Sequence, residues 1–376
     1  MPRFSSTILD TAEPPIPAAR RWAARYRGQH GEVLDLTQAV PGYPAHPELL
    51  ARLGVAAADT ACAGYGPIQG DLALREALAQ DATEFYGHQI SAPQVAITAG
   101  CNLAFAMAMK VIAAPGDEIL IPVPWYFNHE MALRMAGVCA MPMPGLVPDL
   151  AAAEGLISPR TRAILLVSPN NPTGEIYSAP LLRDIADLCR KHGLWLVLDE
   201  TYRDFLDAAP HGLFESHPDV LVHLYSFSKA YCLPGHRLGA VIAEETFQEQ
   251  LAKALDALQI CPARPAQAAL AWAIPSLRGW RQQNRRIMAE RAEACQTALA
   301  RHRIEALGAY FAWLRLPDDA PHAVLAAEHL AAERGLLVLP GPFFGPGQER
   351  YLRLAFANAE AARLAELPER LDFSRA

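Results

Sequence analysis

The sequence predicts an α/β protein: a large domain with a mainly parallel, seven-stranded-type sheet flanked by helices, and a smaller α+β domain. Between about residues 94 and 243, short aliphatic runs alternate with stretches of helical periodicity. The runs are apolar throughout and lack the in–out alternation of a strand wetted on one face, so the sheet is expected to be covered on both sides. A chain of 376 residues, 52% of them hydrophobic, is also longer than one core usually serves.

The expected elements follow in order. Gln94–Thr98 is a strand, 101–113 a helix and Glu118–Ile121 a strand. Ala163–Val167 is another, ended by Ser168-Pro169. Leu181–His192 carries apolar residues at 181, 182, 185, 186, 188 and 189, one face of a helix, with Gly193 as its cap. Leu194–Leu198, Val220–Tyr225 and Arg237–Ala243 complete the set. Residues 1–44 are rich in proline and weakly periodic. From Arg278 to about Ala300 a polar-faced helix reads as a connector, and Tyr310–Leu316 and Tyr351–Phe356 read as strands beyond it. The expected division is 45–280 for the large domain, with 1–44 and 281–376 forming the small one.

The bulk properties exclude several classes. The net charge is −7 with no long basic run, which argues against a nucleic-acid partner held by phosphate neutralisation. Seven cysteines, at 62, 101, 139, 189, 232, 261 and 295, form no CxxC pair, so neither a disulfide framework nor a structural zinc site is expected. No run reaches the ~18–20 apolar residues of a membrane helix, and the N-terminus has no apolar signal region. A soluble cytoplasmic protein with no metal is the expectation.

Chemistry concentrates where strands end, as parallel sheets dictate. After the first strand comes Ala99-Gly100-Cys101-Asn102, opening a helix. Ser168-Pro169-Asn170-Asn171-Pro172-Thr173-Gly174 follows the 163–167 strand. Asp199-Glu200-Thr201-Tyr202 follows 194–198, and Ser226-Phe227-Ser228-Lys229, then Gly235-His236-Arg237-Leu238-Gly239, follow 220–225. A helix start, an amide, a carboxylate, hydroxyls, a lysine and an arginine suit a phosphorylated, electron-withdrawing aldehyde. Taken singly, each has an ordinary reading: a solvated lysine on a serine-rich turn, an aspartate N-cap, an Asn-Pro turn.

Together, in this order and spacing, the segments resemble the fold-type I, class I/II aminotransferases related to aspartate aminotransferase, and the likeness runs from Leu36 to Phe356. The resemblance implies pyridoxal 5′-phosphate as cofactor, with Lys229 as its Schiff-base lysine and proton shuttle. It implies that Asp199 faces the pyridinium nitrogen and that Asn171 and Tyr202 reach the phenolic oxygen. The phosphate would lie on the backbone N–H groups of Gly100, Cys101 and Asn102 and on Ser226, Ser228 and Arg237. Tyr126 would stack on the ring, with Trp125 as the alternative. Tyr65 corresponds to a tyrosine that crosses to a partner subunit, implying a homodimer with shared sites. Arg353, in YLRLAFAN, corresponds to the arginine that binds the substrate α-carboxylate, with Asn171 nearby. Where the family usually has a glycine over the substrate pocket, this chain has Ala39. No arginine aligns cleanly for a distal carboxylate; Arg264 lies in the right region. An aspartate-type specificity is therefore unsupported, and aromatic, aliphatic and sulfur-containing amino acids remain open.

The implied activity is ping-pong transfer of an amino group between an L-amino acid and a 2-oxo acid. A C–S β-lyase of the same fold is the alternative. A non-catalytic regulator of this fold fits less well, because Lys229 is present and no basic helix precedes the core.

Overall fold

The computed structural model describes residues 2–373. Its largest sheet has seven strands: β1 (Val95–Thr98), β2 (Glu118–Val123), β3 (Cys139–Pro144), β4 (Thr161–Val167), β5 (Trp195–Asp199), β6 (Leu221–Ser226) and β7 (Gly239–Ile242). They lie in the order β1-β7-β6-β5-β4-β2-β3, and only β7 runs against its neighbours. The mainly parallel, seven-stranded expectation is met.

Period-two alternation explains why the strands are apolar throughout. Ile164 and Leu166 of β4 face one apolar cluster, with Leu196 and Leu198 of β5. Ala163 and Leu165 face the other, with Val197 and Val222. Both faces are covered by helices, so neither can carry polar residues. The register then sets the strand ends side by side: Val167 pairs with Asp199, Asp199 with Leu224, and Ser226 with Gly239. Gly239 also pairs with Thr98, the last residue of β1.

A four-stranded sheet is built from Arg303–Gly308, Phe311–Arg315, Leu339–Pro340 and Tyr351–Leu354, all antiparallel. Leu34 and Leu36 pack into the cluster that holds Phe311, Leu314 and Leu354. Leu34–Asp35 pairs in parallel with Leu336–Leu337, tying the N-terminal stretch to the C-terminal part of the chain. Helix Arg278–Ala298 leads into this region.

Three expectations change. β3, unseen in the sequence, reads CAMPMP; its prolines lack N–H donors and are accommodated on a mostly exposed edge strand. The proline-rich N-terminal stretch holds a helix, Pro15–Ala23, because proline suits a first helical turn, where its missing N–H is not required. The expected strand over 237–243 begins only at Gly239, since Arg237 sits at φ +53. Among the described residues no helix is long and apolar enough to cross a membrane.

Candidate active site

The carboxyl ends of β1, β4, β5 and β6 open onto one cavity of ≈ 380 Å³. Cys101, Asn102, Tyr126, Asn171, Asp199, Tyr202, Ser226, Ser228, Lys229, Arg237, Arg353 and Ala39 all line it. Residues from seven separate segments of sequence thus meet in one place. Tyr65 does not: it is 83% exposed on the surface of its own chain.

Lys229 lies in a four-residue helix, Phe227–Ala230, rather than an open turn, and Ser226 caps that helix by accepting from the Ser228 N–H at 3.2 Å. Its Nζ donates to the Ala39 carbonyl, which brings the 37–40 segment over the cavity. Burial, followed by the charges of Arg237 and Arg353, pushes the Lys229 ammonium down to about 8. An amine with that value has a substantial neutral fraction near neutral pH, as a nucleophile requires.

Asp199 ends β5 and is 4% exposed. Burial alone would raise its pKa, but its neighbours reverse this and hold it below the usual carboxylate value. His129 Nε2 lies 3.2 Å from Oδ2, the Thr201 hydroxyl donates to Oδ1 at 2.7 Å, and the Thr201 N–H donates to the same oxygen at 3.0 Å. An ionised carboxylate is thereby fixed at the cavity wall. Its neighbour Glu200 accepts instead from the Tyr86 hydroxyl, with His223 Nε2 at 2.9 Å and His211 Nε2 at 3.2 Å, anchoring the strand end in the core.

Helix Cys101–Ile112 presents its first turn to the cavity, with the Cys101 thiol 3.9 Å from both Asp199 carboxylate oxygens. One expectation is corrected here. The Gly100 N–H is taken by the Thr98 carbonyl at 2.7 Å, so it is not a free donor; the first-turn amides of Cys101 and Asn102 remain. What Gly100 supplies is space. Its φ is +93, and a Cβ there would overlap Arg237 Nη2. Gly239 plays the same part, since its Cβ would meet the Cys101 nitrogen at 2.5 Å.

Arg353 is 2% exposed. Its guanidinium donates to Asn171 Oδ1 at 3.1 Å and to the Thr37 carbonyl, while Nε has no partner among the described residues. Burial pushes it down to about 10, which leaves it a cation at neutral pH. The Phe311 and Phe344 rings flank it, each 5.1 Å from the guanidinium carbon. Tyr126 rather than Trp125 lines the cavity; Trp125 packs into the apolar cluster behind β1 and β5. Arg264 is engaged elsewhere, with Asp71 at 3.3 Å and the Ala61 carbonyl at 2.5 Å.

His129, Thr201 and the Thr37 carbonyl were not found from sequence. Thr201, two residues after Asp199, carries the hydroxyl-turn signal that could have revealed it. A lone histidine three positions after Tyr126 on an amphipathic helix carries none.

The residues fit a phosphorylated pyridine aldehyde: first-turn amides and an arginine suited to the phosphate, a fixed carboxylate suited to the ring nitrogen, and a half-buried amine, all on one cavity. Comparisons with known proteins place the chain in a family. Residues 27–371 match the family model "Aminotransferase class I and II". The chain is 30% identical over 354 residues to aromatic aminotransferase ISS1 of Arabidopsis thaliana, covering 90% of this chain and 88% of that protein. It is 28% identical over 372 residues to arginine–pyruvate transaminase AruH of Pseudomonas aeruginosa, covering 92% and 93%. Among solved structures, aspartate aminotransferase of Thermus thermophilus with maleate superposes with a TM-score of 0.90 at 25% identity, over 98% and 99% of the two chains. The chain therefore belongs to the class I and II aminotransferases, a family that works with pyridoxal phosphate, and is an enzyme that transfers amino groups.

Proposed function

We propose that this aminotransferase holds pyridoxal 5′-phosphate on Lys229 and exchanges the amino group between an L-amino acid and a 2-oxo acid by a ping-pong route. The carrying observation is the position of Lys229: it is half-buried, lines one cavity with Asp199, Arg237 and Arg353, and is pushed down to about 8. When bound, the cofactor supplies an aldehyde that takes up the amine and a ring that draws electrons from the substrate Cα–H bond.

The chain's own groups divide the remaining work. Cys101 and Asn102 N–H, Ser226, Ser228 and Arg237 would bind the phosphate. Asp199, kept ionised by His129 and Thr201, would hold a proton on the ring nitrogen. Asn171 and Tyr202 would bond the phenolic oxygen, and Tyr126 would cover the ring. Arg353 would orient the substrate α-carboxylate, replacing its present bond to Asn171 or sharing it. Lys229, freed from the Ala39 carbonyl, would remove the proton at Cα and return it to the former aldehyde carbon, two bonds away.

The same reading makes the enzyme a homodimer in which Tyr65 reaches the partner's phosphate site. Val55, Tyr65, Leu72, Leu258 and Ile260 are large exposed apolar side chains, and Arg264 pins the 61–71 segment that carries Tyr65. Residues 45–280 then form the cofactor domain, with 1–44 and 281–376 the second domain; the separate apolar clusters support that division. Borohydride reduction of the yellow protein followed by peptide mapping tests the central claim. The label is expected on Lys229, and its recovery on another lysine would overturn the assignment.

A further inference from the structure

The cavity lining has a charge inventory that bears on the substrate side chain. Its charged residues, among those described, are Lys229, Asp199, Arg237 and Arg353. Under the proposed function all four are committed, to the cofactor amine, ring nitrogen, phosphate and α-carboxylate. From this chain, no lining cation is left for a distal carboxylate, and no lining carboxylate is left for a distal ammonium or guanidinium. Arg264 is tied to Asp71 and the Ala61 carbonyl and does not line the cavity. The neutral amides are partly used as well: Asn128 donates to the Tyr126 hydroxyl at 2.8 Å, and Asn171 accepts from Arg353.

The rest of the wall carries the neutral polar Thr37, Gln38 and Asn102 and one continuous apolar stretch. Pro14, Pro15, Ile16, Pro17, Val40 and Phe127 face the cavity. Ile16, Tyr126 and Phe127 belong to one apolar cluster with Trp313 and Phe344. Phe344 is also the ring that flanks Arg353, and its centroid lies 5.7 Å from that of Phe127. The apolar surface therefore begins beside the arginine that would hold the α-carboxylate, where a substrate side chain must project. A charged side chain there would lose water and gain no oppositely charged partner from this chain.

We propose that the amino donor is an L-α-amino acid with a neutral, apolar side chain (aliphatic, thioether or aromatic), selected by a wall of Ile16, Val40 and Phe127. This rests on the site roles proposed above. The test is a single-turnover panel on the holoenzyme, read as bleaching of the cofactor band by leucine, methionine, phenylalanine, aspartate, glutamate, arginine and lysine. The apolar donors should react faster, by kmax/Kd, than every charged one by on the order of 100-fold. A charged donor matching the best apolar one would overturn the inference and show that another group, such as one from a second copy of the chain, reaches in. Bleaching by no amino acid would overturn the site roles themselves, and the donor assignment with them. Ile16→Arg, at the half-buried rim, should shift the glutamate-to-leucine ratio toward glutamate by about 10-fold. Ile16→Ala should slow phenylalanine and leucine but not glutamate, and unchanged ratios in both variants would remove Ile16 from the wall.

Discussion

Replacing Lys229 with methionine should stabilise the cofactor-stripped protein at neutral pH, although it abolishes the amine on which catalysis depends. The native site pushes this ammonium from 10.5 to about 8, chiefly by burial and then by the charges of Arg237 and Arg353. Each tenfold loss of proton affinity is worth ~1.36 kcal/mol, so holding the charge costs the fold about 3 kcal/mol. The sign follows from comparing the two states. Below pH 8 both are protonated and the folded state bears the whole penalty. Between 8 and 10.5 folding expels the proton and the penalty shrinks; above 10.5 neither state is charged and it vanishes. Methionine removes the penalty but also the hydrogen bond to the Ala39 carbonyl, worth ~1 kcal/mol. The net gain is then about 2 kcal/mol at pH 7 and close to zero near pH 9.5. Paired urea unfolding curves of the two stripped proteins at both pH values provide the measurement. A variant less stable than the parent at pH 7, or a gain that does not change with pH, would refute the claim that this site stores strain on its amine.

Gly100→Ala should weaken cofactor binding as well as the fold. The backbone holds φ +93 and ψ 160, a glycine-favoured conformation that costs an alanine ~1–3 kcal/mol, and the new methyl would displace the Arg237 guanidinium. Cofactor titration of the stripped protein should give a Kd raised by about 10-fold or more, and an unchanged Kd would mean that Arg237 does not serve the phosphate. His129→Phe should raise the Asp199 pKa and move the acid limb of the kcat profile to higher pH. A hydrogen bond to a charged group is worth about 1.5–3 kcal/mol, so the move is roughly one to two pH units. A limb that stays in place would show that Asp199 is held ionised by Thr201 alone.

Much of the site was legible because its residues follow strand ends in short, ordered segments. Lys229, Asp199, Asn171 and Arg237 each stand within a few residues of a strand terminus, and a covered parallel sheet forces such termini together. Residues whose role depends on a partner far along the chain were not legible. His129 meets Asp199 across 70 positions, and the Thr37 carbonyl meets Arg353 across 316. The Gly100 N–H was misassigned because local periodicity places a helix start but not the bond its amide makes to Thr98.

Apolar runs without alternation determined by themselves that a sheet is buried on both faces, because no polar residue can be satisfied there. The order and spacing of the strand-end segments pointed to the class I and II aminotransferases, because those motifs together resemble that family although each alone has an ordinary reading. Only the tertiary structure decided that β7 runs antiparallel, that Gly100 contributes space rather than a donor, and that Ile16 and Phe127 close the cavity. Those features arise from strand register and from contacts between distant segments. A local pattern carries no information on which distant surface it will meet.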